Sequence, residues 1–140
     1  MQPLAEAQHI ELDVQIAPGL SIRGNPDYLT NLVLNLVDNA LKHTHPGGTV
    51  TLKANRSGDR VEVTVRDTGV GIEDKHLPHL FERFYRVEGA RSRSTGGAGL
   101  GLAIAAEIAR LHGGTLTVRS QIDRGTTFIL QLPNARLVSG

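Results

Sequence analysis

An apolar stripe at helical spacing, Leu29, Leu32, Val33, Leu36, Val37, Ala40 and Leu41, constrains this chain more than any other feature. Apolar residues recurring every three to four positions form one face of a helix, and such a face must be covered by a second layer. Asn25-Pro26-Asp27 supplies an N-cap, a proline for the first turn and a carboxylate at the positive end of the helix dipole. His45-Pro46-Gly47-Gly48 stops the run.

The covering layer is legible on both sides of this helix. Residues 10–16 alternate apolar and polar, as a half-buried strand would, and residues 49–54 and 61–65 alternate as well. The intervening segment contains Gly58 and Asp59, which predicts an antiparallel hairpin with a connection of several residues. A second helix is expected from Leu100, Ile104, Ile108 and Leu111, closed by His112-Gly113-Gly114 in the manner of a glycine C-cap. Residues 115–120 and 126–132 read as two last strands joined across Asp123-Arg124-Gly125.

Residues 73–99 lose periodicity and hold an aromatic cluster, Phe81, Phe84 and Tyr85, with arginines at 83, 86, 91 and 93. They are predicted to form a long, partly ordered loop, and a loop of that length in a small domain marks a lid or binding loop. The order strand, helix, hairpin, loop, helix, two strands predicts an α/β (α+β) fold: a two-layer sandwich of a mixed, mostly antiparallel sheet with helices on one face. The other sheet face is expected to be solvated or docked elsewhere.

A chain of 140 residues is expected to be one domain, residues 1–140, with its core over about 10–133. Fifteen basic against fourteen acidic side chains leave a formal charge of +1, so neither nucleic acid nor an anionic membrane is expected as a partner. The absence of cysteine excludes disulfides, thiol catalysis and thiolate metal sites. No secretory leader or spanning segment is read from the sequence.

Several segments could carry chemistry. Asn35, Asn39, Lys42 and His43 share one margin of the first helix, bordering its buried stripe. Their neutral amide oxygens suit Mg²⁺, which takes few protein ligands when phosphates and water complete its shell, and a lysine meets phosphate as a point charge. The plain alternative is a solvated polar margin. Asp67, at a strand end before Gly69 and Gly71, is either an acceptor for an amine such as that of adenine or an aspartate that starts a turn.

Gly96-Gly97-Ala98-Gly99-Leu100-Gly101-Leu102 opens the second helix, so free amides and the positive dipole end can face an anion such as triphosphate. A flexible hinge is the alternative. The segment is neither a P-loop nor a Gly-x-Gly-x-x-Gly turn. His76 and His79 flank Pro78 with no third ligand in the sequence, which argues against zinc. The loop arginines are either solvated charges or cationic clamps on a transferring phosphoryl group.

In this order and spacing the four segments resemble the ATP-binding catalytic domain of bacterial sensor histidine kinases, which has the Bergerat fold of gyrase, heat-shock ATPase chaperones and mismatch-repair ATPases. Residues 35–43 resemble the asparagine box, 67–72 the first glycine box, Phe81-Glu82-Arg83-Phe84-Tyr85-Arg86 the phenylalanine box, and 97–102 the second glycine box. The resemblance covers nearly the whole chain. It implies ATP and Mg²⁺ as cofactors, with Asn39 ligating the metal helped by Asn35, and Lys42 and His43 at the phosphates or ribose. It implies that Asp67 bonds the adenine amine, that Gly69, Gly71 and Ile72 shape the base pocket, and that Thr126 reaches the adenine end. Phe84, Tyr85, Leu100 and Leu102 are expected to line the nucleotide, and Gly97, Gly99 and Gly101 to let the lid close. Asn35, Lys42, Arg86 and Arg91 are expected to serve the reaction, the two arginines at the γ-phosphate.

The related ATPases carry a glutamate where this chain has Asn35, and an amide cannot act as a general base. Slow hydrolysis is therefore expected, with the γ-phosphoryl kept for a protein histidine. None of the six histidines has the phosphoacceptor context of His-Glu/Asp-Leu followed by Arg-Thr-Pro, so a dimerisation and phosphoacceptor domain is expected outside residues 1–140. The resemblance further implies a monomeric cytoplasmic domain, indirect service to a response regulator, and a full-length protein in the bacterial inner membrane. Two alternatives remain: an anti-sigma-factor serine kinase of the same fold, and a non-catalytic nucleotide-sensing module.

Overall fold

A computed structural model describes residues 9–85 and 100–133. Strand β1 (Glu11–Ile16) leads into helix α1 (Pro26–Lys42), then the hairpin β2 (Thr49–Ser57) and β3 (Arg60–Asp67). A short 3-10 helix (Asp74–His79), helix α2 (Gly101–Leu111) and strands β4 (Thr115–Gln121) and β5 (Gly125–Pro133) follow. The five strands form one sheet in the order β1-β2-β3-β5-β4. β1 runs parallel to β2 and the other neighbours are antiparallel, so the sheet is mixed and mostly antiparallel, as expected.

Local chemistry sets the helix ends. The Asn25 side chain accepts from the backbone N–H of Asp27 and Tyr28 at 2.9 and 3.1 Å, which satisfies two donors that the first turn leaves free. At the far end of α2, Gly114 N–H donates to Ala109 and Gly113 N–H to Arg110, the paired bonds of a Schellman stop. His112 also holds this end. Its Nδ1 bonds the Ile108 carbonyl at 2.8 Å, and its Nε2 accepts from Asn25 N–H at 3.1 Å, tying the close of α2 to the start of α1.

Both helices lie against one face of the sheet. Leu32, Leu36, Val37, Ala40 and Leu41 of α1 meet Val50, Val61, Val63, Val65, Phe128, Leu130 and Leu132 of the strands in a single core. The opposite face carries Lys53, Asn55, Arg66, Thr117 and Arg119, which are exposed to solvent. Among the described residues no helix is long and apolar enough to cross a membrane.

Four local expectations need correction. The hairpin connection is two residues, Gly58 and Asp59, because Ser57 already pairs with Arg60. Residues 74–79 are helical within the supposed loop. Val14 and Ile16 are exposed, Ile16 at 64%, because β1 is an edge strand that rests on β2 beyond the reach of the helices. In α2 the buried positions are Ala105, Ile108 and Ala109, while Ile104 and Leu111 point outward. The helix packs on α1 through its alanines, which allow close approach and turn the larger residues away.

Phe128, wholly buried at the centre of the core, is the side chain whose loss should be felt most. Phe128→Ala is expected to lower unfolding free energy by about 3–5 kcal/mol. Ile129→Ala, one residue along and on the other sheet face, should cost well under half of that, as urea denaturation of the two variants would show.

Candidate functional site

The helix-facing side of the sheet is built in rows across the strands. Register aligns Val14, Leu52, Val65, Phe128 and Val118 in one apolar row. One row further, the pattern turns polar. Val50 pairs with Asp67, Ser120 pairs with Thr126, and Thr126 N–H donates to Asp67 Oδ1 at 3.1 Å.

Asp67 is 1% exposed. Its Oδ1 accepts from both Gly69 N–H, at 2.9 Å, and Thr126 N–H, at 3.1 Å. Among the described residues both bonds fall on that one oxygen, so the lone pairs of Oδ2 are left for a ligand. Burial pushes the carboxyl above the ordinary aspartate value of 3.8, while the two amide bonds and the charge of His43 pull the other way. An amine donating to Oδ2 would act in the same direction as those bonds.

Three backbone segments close tightly around this carboxylate. Val70 N–H donates to the His43 carbonyl at 3.3 Å, and Asp123 N–H donates to the Val70 carbonyl at 2.8 Å. A Cβ on Gly69 would lie 2.0 Å from His43 O, one on Gly71 2.0 Å from Gln121 O, and one on Gly125 2.0 Å from Asp67 O. Only glycine permits those approaches. Ile72 is buried beside them, its N–H donating to Ser120 Oγ at 2.7 Å.

Along α1, Asn35, Asn39, Lys42 and His43 are half-buried, bordering the core as expected. An ideal Cβ on Gly101 would sit 3.7 Å from Asn35 Oδ1, so the first residue of α2 meets the amide-bearing helix. The Lys42 ammonium pairs with Asp38 at 2.8 Å, and His43 Nδ1 bonds the Asn39 carbonyl at 2.7 Å. Leu100 is half-buried just before α2, and Leu102 packs against the core. No group of three or more His, Asp or Glu among the described residues could hold a metal ion. The neutral amide oxygens of Asn35 and Asn39 fit a hard cation that brings its own phosphate and water oxygens.

The aromatic cluster divides. Phe81 packs edge-on against Phe128, ring centroids 6.1 Å apart, and anchors the segment to the core. Tyr85 bonds His76 through its hydroxyl and stacks on His79 at 5.3 Å, and His79 pairs with Glu82 at 2.7 Å. Phe84 is 68% exposed at φ 65° and joins neither Phe81 nor the carboxylate cluster. Arg86, Arg91, Gly97 and Gly99 lie outside the described residues. Sequence reasoning missed Ser120, which bonds Ile72, Gly125 and Thr126, and the anchoring role of Phe81. The signal for Ser120 was the inward phase of Leu116, Val118 and Ser120 along β4.

Residues 24–136 match the family described as histidine kinase-, DNA gyrase B-, and HSP90-like ATPase. The sensor histidine kinase RppB of Synechocystis sp. is 46% identical over 131 residues, which cover 93% of this chain and 29% of that protein. The sensor-like histidine kinase SenX3 of Mycobacterium tuberculosis is 40% identical over 129 residues, covering 92% and 32%. The chain thus spans a third or less of the length of these curated relatives. Among solved structures, the mycobacterial sensor histidine kinase MprB superposes with a TM-score of 0.84 at 33% identity, covering 95% of this chain and 90% of that one. Full-length ShkA in complex with AMPPNP gives 0.83 at 32% identity, covering 96% and 28%. The alternative of an anti-sigma-factor serine kinase is not favoured by these relatives, all of which are histidine kinases. The chain therefore belongs to the histidine kinase-, DNA gyrase B- and HSP90-like ATPase family, as a domain homologous to the catalytic domains of sensor histidine kinases.

Proposed function

We propose that this domain binds Mg-ATP between α1 and the 67–72 segment and transfers the γ-phosphoryl to a histidine of a helical dimerisation domain. The observation that carries the reading is Asp67, a buried carboxylate with one oxygen locked by two backbone amides and the other left for an amine. A base bearing an exocyclic amine is the partner such an acceptor selects. Gly69, Gly71 and Ile72 wall the base, and Thr126 meets it beside Asp67.

At the other end of the nucleotide, Asn39 and Asn35 hold Mg²⁺ through their amide oxygens. The ion, when bound, neutralises phosphate charge. Lys42 is assigned to the phosphates, and its pair with Asp38, a partly exposed helix pair, contributes only about 0.3–0.5 kcal/mol. His43 stands at the phosphates or ribose. Arg86 and Arg91 are assigned to the γ-phosphate, and Gly97, Gly99 and Gly101 to lid closure over it. In the transfer, the bond from the γ-phosphorus to the β–γ bridging oxygen breaks and a bond to the acceptor nitrogen forms, leaving ADP. Asn35 offers no base for a water, which keeps the phosphoryl for its acceptor.

The greater length of the relatives supports a phosphoacceptor domain and a sensor portion as further parts of the intact protein, with a response regulator downstream. The domain is assigned to the cytoplasmic side of a bacterial inner-membrane protein and to a monomer when isolated.

Calorimetric titration with ATP and GTP, with and without magnesium, tests the site. Asp67→Asn should fold and lose at least roughly tenfold in ATP affinity, since it loses a charge-assisted bond. Unchanged affinity would remove Asp67 from the site. Asn39→Ala should weaken Mg-ATP binding several-fold more than metal-free ATP binding, and equal losses would reject its metal role.

The raised carboxyl also makes two opposite pH trends. Its contribution to folding is fully present below 3.8 and is lost as pH rises through the folded-state value, so acid favours the empty fold through this group. Acid also neutralises the acceptor that the amine needs. ATP affinity should therefore fall on acidification at a higher pH than an ordinary aspartate would dictate, and this component should be missing in Asp67→Asn.

For the reaction, the isolated chain should hydrolyse ATP slowly but phosphorylate a supplied histidine-kinase dimerisation domain, giving an acid-labile product. Rapid hydrolysis with no transfer would overturn the assignment.

A further inference from the structure

The hydroxyls of Ser120 and Thr126 form a directed pair beside the Asp67 carboxylate, and their direction follows from what each neighbour can do. Ser120 Oγ lies 2.7 Å from Ile72 N, 2.9 Å from the Gly125 carbonyl and 2.8 Å from Thr126 Oγ1. A hydroxyl has one proton and two lone pairs. The carbonyl can only accept, so it takes the Ser120 proton. The amide can only donate, so it takes one lone pair. The remaining lone pair receives the Thr126 proton. Thr126 is thereby the donor within the pair, and its oxygen has only lone pairs left to offer.

Asp67 Oδ2, when ionised, is likewise an acceptor and nothing else. Resting on the nucleotide reading above, we infer that Ser120 is a specificity-determining positioning residue. By holding the Thr126 proton, it leaves both side-chain groups there, Asp67 Oδ2 and Thr126 Oγ1, as acceptors. A purine with a 6-amino group brings two N–H donors to those acceptors. A purine with a 6-keto group brings a third acceptor, and unpaired acceptors in a buried site are rejected strongly. Without Ser120 Oγ, the Thr126 hydroxyl is free to rotate and donate to a 6-keto oxygen. The bond between Thr126 N–H and Asp67 is backbone-borne and does not depend on Ser120.

The test is the preference for ATP over GTP, taken as the ratio of dissociation constants from calorimetry with magnesium, for wild type, Ser120→Ala and Ser120→Thr. Ser120→Ala should reduce the preference by roughly tenfold, mainly by improved GTP binding, the value of one buried hydrogen bond gained. Ser120→Thr, which keeps the hydroxyl, should retain it. A merely structural loosening would weaken both nucleotides in step, and an unchanged ratio in Ser120→Ala overturns the inference. In a Thr126→Val background there is no proton to redirect, so adding Ser120→Ala should leave the ratio where Thr126→Val alone sets it. Any further change there overturns the inference too. If circular dichroism shows Ser120→Ala unfolded, Ser120→Cys replaces it and the same ratio is read. A wild-type chain that binds neither nucleotide ends the nucleotide reading and this inference together. A wild type that prefers ATP no more than Ser120→Ala does ends this inference alone.

Discussion

Two backbone amides converging on Asp67 Oδ1 are the interaction around which the rest of the site is arranged. A carboxylate removed from water costs several kcal/mol unless hydrogen-bonded, and these bonds offset part of that cost, the net effect of burial still being a raised carboxyl. They come from different places in the chain, one from the loop after β3 and one from the start of β5. Holding the carboxylate therefore also fixes the loop to the sheet. The arrangement requires glycine at 69 and 125, where a Cβ would meet the His43 and Asp67 carbonyls at 2.0 Å.

The fold and the site are built from the same elements. Helix α1 uses one face for the core and its margin for the amides of Asn35 and Asn39. The sheet face is apolar through the Val65 and Phe128 row and becomes polar one row later, where Asp67, Thr126 and Ser120 stand. Packing thus ends where the polar cluster begins. Helix α2 docks on α1 through Ala105 and Ala109, small enough to bring Gly101 against Asn35. Phe81 is held edge-on against Phe128, while Phe84 three residues on is exposed at a positive φ.

The same geometry separates holding from reacting. Around Asp67 the described groups are backbone amides, a carboxylate and a hydroxyl pair, all of them buried or half-buried. Along the margin of α1 the described side chains are the amides of Asn35 and Asn39, Lys42 paired with Asp38, and His43, whose Nδ1 is bonded to the Asn39 carbonyl. That asymmetry suits the proposed nucleotide binding and phosphoryl transfer.

Caps, turns and the main helical stripe were legible. The N-cap at Asn25, the stripe of α1, the glycine stop after α2 and the Asp-x-Gly-x-Gly turn each depend on neighbours a few residues away, and the sequence alone determined them. Their order was enough to predict a mixed sheet covered by helices on one side. Which of those residues meet was decided only by tertiary structure, because register and helix docking join positions far apart in the chain. Ser120 reads as an ordinary strand serine until β4 is laid beside β5, and only then does it bond Thr126 and Ile72. Ile104 and Leu111 fit a helical stripe on paper, yet the docking of α2 through its alanines turns them to solvent. Periodicity names a face, but only the packing of one layer on another decides what that face touches.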